Sequence, residues 1–491
     1  MRPRAAIAAL GILGIALSGC ATQAATDTPS GAEAEEANQQ EGTDEQDGAD
    51  EQDGADEEGS EDAGALLYAT KTSYAPFQDL SEYEDVPEGY EAVLVEHVAR
   101  HGSRFLSSKK YDDLLYQLWE QAKADDGLTE LGEELGPELE EITAIHDELG
   151  YGDLSGLGAT ELEEMGQRAY QRMQPLFDAA VESDGTMTFT TSGEDRAIDS
   201  GDNFMIGLTA EDPDLAELIE PMEADTDLLY FHKANEEYVE YRDSDSQLHE
   251  ALDALEDHPD ISRVAENVVN ALFTEEFVER IDDGEFDFVD NGKGKKHLRT
   301  IVDVADYMYQ LYIIAPLMAE EADFDFSKYI SQEDAEVLAF LAGAETFYEK
   351  GPGFEGRDIT YQMSDVLLED LLSAVEGVAS GETTQAADFR FAHAETILPL
   401  AVLLQLPGSE QQVAEGEAYS YESNPFRAAL VAPMASNIQW DVFQNDEEHV
   451  IVRMLYNEEQ THFAFDCEPI EEDSYFYDAE ELSSCLAHLR P

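Results

Sequence analysis

Residues 92–104 read AVLVEHVARHGSR. The apolar run at the start is typical of a buried strand, which we predict over Ala92–Val98. The strand leads into Arg100-His101-Gly102-Ser103-Arg104, where two guanidinium groups flank an imidazole at a chain turn. Two guanidiniums bind a phosphate through paired, charge-assisted hydrogen bonds, and the imidazole between them then lies within reach of the phosphorus. The stretch therefore indicates a phosphoryl-transfer enzyme with a histidine nucleophile.

The rest of the chain alternates strands with helices. Strand patterns occur at Thr186–Thr191 and Phe389–Ala392, and helical spacing at Lys110–Lys123, Thr160–Val181, Asp195–Leu208 and Glu395–Leu406. Such alternation predicts an α/β fold with a mostly parallel central sheet flanked by helices.

Two regions depart from this alternation. Residues 209–360 lack good strand signals, and runs such as Ile261–Ile281 and Val302–Ala319 have helical spacing, so we predict a helical insertion or cap. Near the end, Ile438–Phe443 and His449–Leu455 flank a polar five-residue loop. This pattern predicts an antiparallel pair at a sheet edge.

Three segments share the order strand, polar signature, helix. They are Arg100–Arg104, then Thr191–Arg196 with Ser200 one helical turn further on, and then His393-Ala394-Glu395. Because the carboxyl ends of parallel strands meet at one crevice, we expect the segments to converge. In such a pocket the arginines and one histidine would neutralise the phosphoryl oxygens, while the other histidine attacks in line. The glutamate would give a proton to the departing alkoxide, so the set suits phosphomonoester hydrolysis.

Each of these residues also has a purely structural interpretation. A buried histidine at a strand end is commonly structural, and Arg196 can pair with the nearby Glu194. Glu395 can be a helix-start residue favoured by the helix dipole. The other histidines, such as His146 and His232, belong to no constellation and are interpreted as structural or surface residues.

With these motifs the chain resembles the histidine phosphatase superfamily, in its acid phosphatase and phytase branch. Within that branch, His393-Ala394-Glu395 is similar to the His-Ala-Glu of multiple inositol polyphosphate phosphatases, where other phytases have His-Asp. The resemblance runs from about residue 70 to the C-terminus and is weakest in the helical middle. Further segments that carry it are Phe389–Ala392, Thr396–Leu400, Arg196–Ser200, Ala432–Asn437 and Arg453–Glu458.

The resemblance implies a role for each matching residue. His101 would be the nucleophile that forms a phosphohistidine, and Glu395 would be the proton donor. The phosphoryl group would be held by Arg100, Arg104, Arg196 and His393. One departure is Leu106, where many relatives have proline, which concerns the stiffness of the loop and not a reacting group.

The charge of the chain is extreme. Its 491 residues include 112 acidic and 26 basic side chains, for a net charge of −86. A chain this acidic is not expected to bind nucleic acid or an anionic membrane surface through bulk electrostatics. The acidity is interpreted as a solvated surface. With 43% hydrophobic residues, most of the chain should nevertheless fold.

A polyanionic substrate would need local basic groups, and two clusters offer them. The first comprises Lys293, Lys295, Lys296, His297 and Arg299, in the predicted insertion, and the second is Lys109 and Lys110. We predict that some of these residues form an outer phosphate-binding rim. The alternative is that both clusters are lysine runs solvated among acids.

The N-terminus is predicted to be a processing signal, residues 1–20. Arg2 and Arg4 precede an apolar run, Ala5–Leu17, that is too short to span a bilayer comfortably. Leu17-Ser18-Gly19-Cys20 resembles a bacterial lipobox, which would make Cys20 a lipidated residue and anchor an exported protein on the outer face of the cell membrane. The alternative is an ordinary secretory signal with a chance cysteine.

Residues 21–64 are predicted to be a disordered acidic linker and residues 65–491 the catalytic domain. Asp27–Asp62 holds 16 acidic residues and no lysine or arginine, so like charges repel and little apolar surface is available to bury. With those acids and the two leader arginines set aside, the remaining chain keeps 96 acidic and 24 basic side chains, a net charge of −72.

Only two cysteines remain besides Cys20. In an exported protein Cys467 and Cys485 suggest a disulfide that closes a short loop, and the alternative is two buried thiols. No zinc-type spacing occurs, and no metal or organic cofactor is expected.

These observations together favour a monomeric phosphatase that removes phosphate from phytate and related inositol polyphosphates. Two alternatives remain open. One is a broad-specificity acid phosphatase or a phosphoglycerate phosphatase of the same superfamily. The other is a surface lipoprotein that binds phosphorylated ligands without turnover.

Overall fold

The structure, a computed structural model, describes residues 66–290, 296–381, 385–464 and 467–489. The predicted signal peptide, Cys20, the acidic linker, Lys293 and Lys295 lie outside the described residues. In the described part, no helix combines the length and the apolar character needed to cross a membrane.

A mixed sheet of eight strands forms the centre of the fold. The strands of the chain are β1 Tyr90–Arg100, β2 Thr186–Thr191, β3 Glu223–Ala224, β4 Phe288–Val289, β5 His297–Leu298, β6 Gln385–Ala392, β7 Asn437–Asn445, β8 Val450–Tyr456, β9 Glu459–Thr461 and β10 Phe476–Asp478. The sheet has the order β10-β8-β7-β1-β6-β2-β3, with β9 also paired to β8, while β4 and β5 form a separate two-stranded sheet. Strands β1, β6, β2 and β3 run parallel, and β7 to β10 add an antiparallel half.

The register of the parallel strands brings three chain turns together. Arg100 at the end of β1 pairs with Ala392 at the end of β6, and Thr191 at the end of β2 pairs with Phe391. The residues that follow these strand ends therefore emerge side by side at one edge of the sheet. They are the three polar signatures found in the sequence.

Helices cover the sheet and build a further layer. They are α1 Lys110–Ala124, α2 Glu130–Leu149, α3 Gly156–Ser183, α4 Asp195–Glu211, α5 Thr226–Leu229, α6 Phe231–Ala234, α7 Glu236–Ser244, α8 Ser246–Glu256, α9 Pro259–Leu272, α10 Glu275–Asp282, α11 Ile301–Ile314, α12 Gln332–Lys350, α13 Asp365–Ala379, α14 Ala394–Leu403, α15 Ala428–Val431 and α16 Ala479–Cys485. Short 3₁₀ turns include Leu66–Lys71. The predicted α/β class is confirmed.

Strand β1 is buried on both faces because its alternate side chains enter two different cores. Leu94 and Val98 pack with residues of α13, α14, β7 and β8, whereas Val95 and Ala99 pack with α3, α4, β2 and β6. A strand covered on both faces reads as a nearly continuous apolar run, which explains the pattern in the sequence.

A third core lies among helices away from the sheet. The interval between β3 and β6 is almost entirely helical, as the spacing predicted, and α9 to α12 supply much of this core. Helices α1 and α2 belong to the same core through residues such as Leu114, Leu118 and Ile142. The helical layer therefore draws on two separate stretches of chain, while the predicted cap boundaries at 209 and 360 stay a prediction.

The predicted pair of strands near the C-terminus is antiparallel but does not lie at the sheet edge. Strand β7 pairs with β1 in the middle of the sheet, and β8 is flanked by β9 and β10. The sequence missed this because β9 and β10 have only three residues each. Cys467, between β9 and β10, forms a disulfide with Cys485 at the end of α16, and their Cα atoms are 5.2 Å apart.

Candidate active site

The three polar signatures meet at the carboxyl ends of β1, β2 and β6. The rings of His101 and His393 lie 5.5 Å apart between centroids and are inclined at 67°. Arg196 donates from its Nη2 to Nδ1 of His393 across 3.2 Å. The structure thus brings together the segments predicted to form the pocket.

The hydrogen bond of His101 fixes which ring nitrogen can react. Its Nδ1 lies 2.9 Å from the carbonyl oxygen of Gly102, and a carbonyl can only accept a hydrogen bond. Nδ1 therefore carries the proton, and Nε2 keeps its lone pair. Burial, together with the charges of Arg196 and Arg100, lowers the pKa of His101 well below its usual value, so the ring is neutral and nucleophilic.

His393 has the opposite tautomer. Because Arg196 donates to Nδ1, the proton lies on Nε2, which donates to Oγ of Ser192 over 2.8 Å. His393 also caps α14, and α4 begins at Asp195 beside Arg196. The first turns of both helices therefore face the crevice, where their partial positive charge favours an anion.

Arg100 and Arg196 each have a buried donor atom without a hydrogen-bond partner among the described residues. Arg100 is anchored by Nη1, which donates to the carbonyls of Thr70, Ala432 and Pro433 at 2.6, 2.7 and 3.0 Å. The buried donor atom is Nε in both residues. Buried donors of this kind suit the oxygens of a bound phosphate.

Positive charges crowd around this pocket. Burial, with the charges of Arg196 and Arg100, lowers the pKa of Arg104 to about 9. Burial lowers the pKa of Arg100 to about 10, partly offset by the nearby Glu395. Lys71 adds a fourth basic side chain, and burial together with the charges of Arg104 and Arg100 lowers its pKa well below the usual value. A phosphate dianion would relieve this repulsion.

Glu395 lies at the start of α14 beside a lysine. Nζ of Lys350, the last residue of α12, donates to Oε1 of Glu395 across 3.1 Å. Burial alone would raise the pKa of Glu395, but the neighbouring groups, with the charge of Lys350 foremost, outweigh burial and hold that pKa well below its usual range. His232 packs edge-on against His393 with 6.1 Å between ring centroids.

A buried carboxylate holds the turn that carries His101. Oε2 of Glu161 accepts a hydrogen bond from the backbone N–H of Ser103 at 2.7 Å, and Oε1 accepts from its hydroxyl at 2.8 Å. On the other side, the N–H of Gly102 donates to Oγ of Ser200 over 3.2 Å. The turn is therefore held by both α3 and α4.

Gly102 is required here by close packing. A Cβ at this position would lie 2.6 Å from the carbonyl oxygen of Gly158, and a Cβ on Gly158 would lie 2.0 Å from the carbonyl oxygen of Ser103. Two facing glycines let the turn lie directly on α3. Close packing therefore explains why a glycine follows His101.

The structure explains why position 106 is a leucine and not a proline, which the sequence did not suggest. Its backbone N–H donates to Nε2 of His146 over 3.1 Å, while Nδ1 of His146 donates to the carbonyl of Ile142 at 2.7 Å. A proline at position 106 has no N–H and would lose the first of these bonds. The buried Leu106 side chain packs in the helical core.

The predicted rim residues divide into two groups. Lys109 pairs with Asp147 at 2.7 Å, and Arg299 pairs with Asp287 at 2.9 Å. His297 also contacts Asp287, at 2.5 Å. These three residues are thus engaged with local carboxylates and not with the pocket.

Lys110 lies in a different environment. Its Nζ is 4.3 Å from the ring centroid of Tyr111 and 5.9 Å from that of Tyr307, and it is close enough to Lys296 for their charges to interact. Burial lowers the pKa of Lys110, and Asp306 partly offsets this effect. Lys110 and Lys296 lie near each other, and their role in a phosphate-binding rim stays a prediction.

Four residues of the site were missed by the sequence analysis. They are Lys71, Ser192, His232 and Lys350. Ser192 lies inside a quoted motif and could have been identified as a partner of His393. The other three lie in separate segments with no local pattern, and His232 was interpreted as structural. In the described part of the chain, no cluster of three or more His, Cys, Asp or Glu residues could hold a metal ion.

The chain belongs to the histidine phosphatase superfamily (branch 2), whose family pattern matches residues 93–457. This match covers all three signatures and confirms the predicted family. The human protein "Multiple inositol polyphosphate phosphatase 1" is 23% identical over 456 residues, covering 85% of this chain and 87% of the human protein.

Solved structures agree with this assignment. The Bifidobacterium longum multiple inositol polyphosphate phosphatase, crystallised with inositol hexasulfate, is 35% identical with a TM-score of 0.81. The match covers 87% of this chain and 98% of that one. The phytase from D. castellii shares the fold, with a TM-score of 0.60, 12% identity and coverage of 87% and 85%.

Proposed function

We propose that this protein hydrolyses the phosphomonoesters of inositol polyphosphates, phytate included, through a phosphohistidine intermediate. The observation that carries the proposal is the neutral His101, with its free Nε2, placed among Arg100, Arg104 and Arg196. The substrate class is supported by the Bifidobacterium longum enzyme, which is similar over nearly its full length and was crystallised with inositol hexasulfate.

The first chemical step is attack on phosphorus. Nε2 of His101 forms a bond to the phosphorus, and the phosphorus–oxygen bond of the ester breaks in line with it. The Nδ1–H bond to the Gly102 carbonyl keeps the ring oriented as positive charge develops on it. Arg100, Arg196 and Arg104 stabilise the negative charge on the equatorial oxygens.

The leaving group is an alcohol of the inositol ring, which departs poorly as an alkoxide. Glu395, in its protonated form, gives its proton to this oxygen as the bond breaks. Water then attacks the phosphohistidine, and the Glu395 carboxylate takes up a proton from that water. Inorganic phosphate is released, and His101 is restored with its proton still on Nδ1.

The two alternative functions make different demands on the site. A protein that only bound phosphorylated ligands would not need a carboxylate at the leaving-group side of the pocket. A broad-specificity phosphatase would use the same machinery, but it would not favour a ring that carries several phosphates. Comparing phytate with a panel of phosphomonoesters separates these possibilities.

The experiment is an assay of phosphate release from phytate by the purified protein. His101→Ala should abolish release, because the nucleophile is lost. His449→Ala removes an exposed histidine between β7 and β8 and should leave release unchanged. Normal turnover by the His101 variant would contradict the mechanism, and release from simple monoesters but not from phytate would contradict the substrate class.

We further propose that the protein is exported and anchored on the outer face of the cell membrane through a lipid on Cys20. The support is the lipobox-like Leu17–Cys20 segment and a Cys467–Cys485 disulfide, which suits an oxidising compartment. Cys20→Ala should move the protein from the membrane fraction to the aqueous fraction. Wild-type protein in the aqueous fraction would contradict the anchor.

We also propose that the catalytic domain acts as a monomer. Its support is the net charge of −72 on the chain beyond the linker, since strongly like-charged copies repel one another. Light scattering on the domain at physiological salt should give the mass of one chain, and a dimer mass would contradict the proposal.

A further inference from the structure

The contact between Lys350 and Glu395 joins two elements that lie 45 residues apart in the chain. Lys350 ends α12 of the helical layer, and Glu395 begins α14 beside the sheet. Nζ and Oε1 are 3.1 Å apart, and the side chains are only 18% and 34% exposed. Solvent and salt screen a partly buried ion pair less than one on the open surface, so the charge of Lys350 acts strongly on the carboxylate.

This contact opposes the chemistry expected of Glu395. A proton donor must carry its proton when the ester bond breaks. An ammonium group at hydrogen-bond distance instead favours the ionised carboxylate, and the pKa of Glu395 is held well below its usual range. With Lys350 in place, the donor is therefore in the wrong form for an alkyl leaving group.

The other groups around Glu395 do not restore its protonated form. The groups that face it are the cations Lys71, Lys233 and Lys350, the histidines His232 and His393, and the carboxylate of Glu349 on α12. Arg100 and Arg104 add positive charge from the β1 side. Glu349 is the only acid among these groups, so removal of Lys350 from the carboxylate is the change that most favours protonation.

The substrate itself supplies a competing partner for Lys350. Glu395 must reach the oxygen that bridges the scissile phosphorus and the ring, so Lys350, which contacts Glu395, would lie on the leaving-group side of a bound substrate. In an inositol polyphosphate, the neighbouring ring carbon carries a second phosphate on the same side of the ester bond. A phosphate dianion is a stronger partner for an ammonium than one carboxylate is.

We infer, on the basis of the proposed function, that Lys350 changes partners when an inositol polyphosphate binds. Its ammonium leaves the Glu395 carboxylate for the phosphate next to the scissile one. Glu395 then takes up a proton from solvent and gives it to the leaving oxygen as the bond from phosphorus to Nε2 of His101 forms. Lys350 is therefore a specificity-determining residue that couples a second phosphate to the state of the proton donor.

The test compares two substrates that share the inositol ring and an alkyl leaving oxygen but differ in the neighbouring phosphates, myo-inositol hexakisphosphate and myo-inositol monophosphate. In Lys350→Met, kcat/KM for the hexakisphosphate should fall by about tenfold or more, the scale of one lost charge-assisted hydrogen bond. For the monophosphate, which never displaces Lys350, kcat/KM should stay the same or rise. In the same variant, the descending limb of the pH profile of kcat/KM for the monophosphate should move to higher pH.

Two further variants complete the design. Lys350→Arg keeps the charge and should retain most of the preference for the hexakisphosphate. Lys328→Met removes a lysine that pairs with Glu134 and Glu138 of α2 and should change kcat/KM for neither substrate. Thermal unfolding of each variant checks that the fold is intact.

The inference is overturned if Lys350→Met loses the same factor on both substrates, because Lys350 would then only position Glu395. It is also overturned if neither substrate is affected. The wild-type protein tests the proposed function separately. If it released phosphate from the monophosphate but not from the hexakisphosphate, the proposed substrate class would be wrong, and so would this inference.

Discussion

Glu395 is the residue whose replacement should depend most on the leaving group. Glu395→Gln cannot donate a proton, so hydrolysis of an alkyl phosphate such as glycerol phosphate should slow by about 10²-fold. p-Nitrophenol leaves without a proton, so kcat/KM for its phosphate ester, which reports the phosphorylation step before water attacks, should be nearly unchanged in the same variant. Steady-state kinetics on the two esters checks this, and an equal loss of kcat/KM on both would assign Glu395 a structural role.

The same residue should set the pH dependence. Because the pKa of Glu395 is held low in the free enzyme, the donor loses its proton as the pH rises through that value, and activity then falls. The lowered pKa of His101 moves the opposite limb towards acidic pH as well. A profile of kcat/KM for a simple alkyl monoester should therefore be displaced to acidic pH. Its descending limb should disappear in Glu395→Gln, and an unchanged limb would point to another group.

Glu161 should act as a positioning residue. Its carboxylate accepts from the N–H and hydroxyl of Ser103 and from the N–H of Tyr74 at 2.9 Å. Glu161→Gln replaces one acceptor oxygen with a donor, which should cost about 1–3 kcal/mol of unfolding free energy and lower kcat more than it changes KM. Denaturant unfolding and kinetics measure both effects. Glu164→Gln, an exposed change on the same helix, should alter neither the unfolding free energy nor kcat.

At this scale, the sequence identified the residues that occur in short motifs. His101, Arg196 and His393 follow strands at the same edge of the sheet, so a local pattern together with the topology rule was enough to predict that they meet. Lys71 and Lys350 come from the 3₁₀ turn before β1 and the end of α12. Only the packing of the helical layer against the sheet determines where those two lie.

At the level of elements, the contact between α3 and the turn that carries His101 leaves little room for an added methyl group. Gly158→Ala would place a methyl group 2.0 Å from the carbonyl oxygen of Ser103, so either the turn or the helix must move. Alanine normally stabilises a helix interior by about 1 kcal/mol relative to glycine, so a loss of stability and activity would be diagnostic.

The matched control is Gly343→Ala in α12. Its added Cβ would meet only the hydroxyl of Tyr421, at 3.2 Å, and the Cβ of Ala428, at 3.9 Å. Thermal unfolding should show a midpoint close to or above that of the wild type. A Gly158 variant as stable and active as this control would contradict the close contact between α3 and the turn.

The elements themselves were predictable where one periodicity prevailed. Strand β1 was found because it is buried on both faces, and the helices after each signature were found because their apolar spacing is regular. The membership of α1 and α2 in the helical layer was not predictable, since an apolar stripe shows that a helix is packed but not against what. The two-residue strand β3 is too short to carry any periodicity.

For the whole molecule, the charge predicts a salt effect on substrate capture. The chain beyond the linker carries −72, and at low ionic strength, where screening reaches about 30 Å, this field should repel a polyanion. Raising NaCl from about 0.01 M to about 0.15 M should therefore increase kcat/KM for phytate. The less charged inositol monophosphate should respond more weakly. A decrease with salt would show that the local cations of the pocket outweigh the global field.

The sheet that carries the site also ends in unusually short strands. Its outermost members are β3, with two residues, on one side and β9 and β10, with three each, on the other. A row of two or three backbone groups is too short to template the addition of a foreign strand, which is the usual route to amyloid-like stacking. The described domain should therefore resist edge-to-edge aggregation even when screening by concentrated salt has removed the protection of its charge.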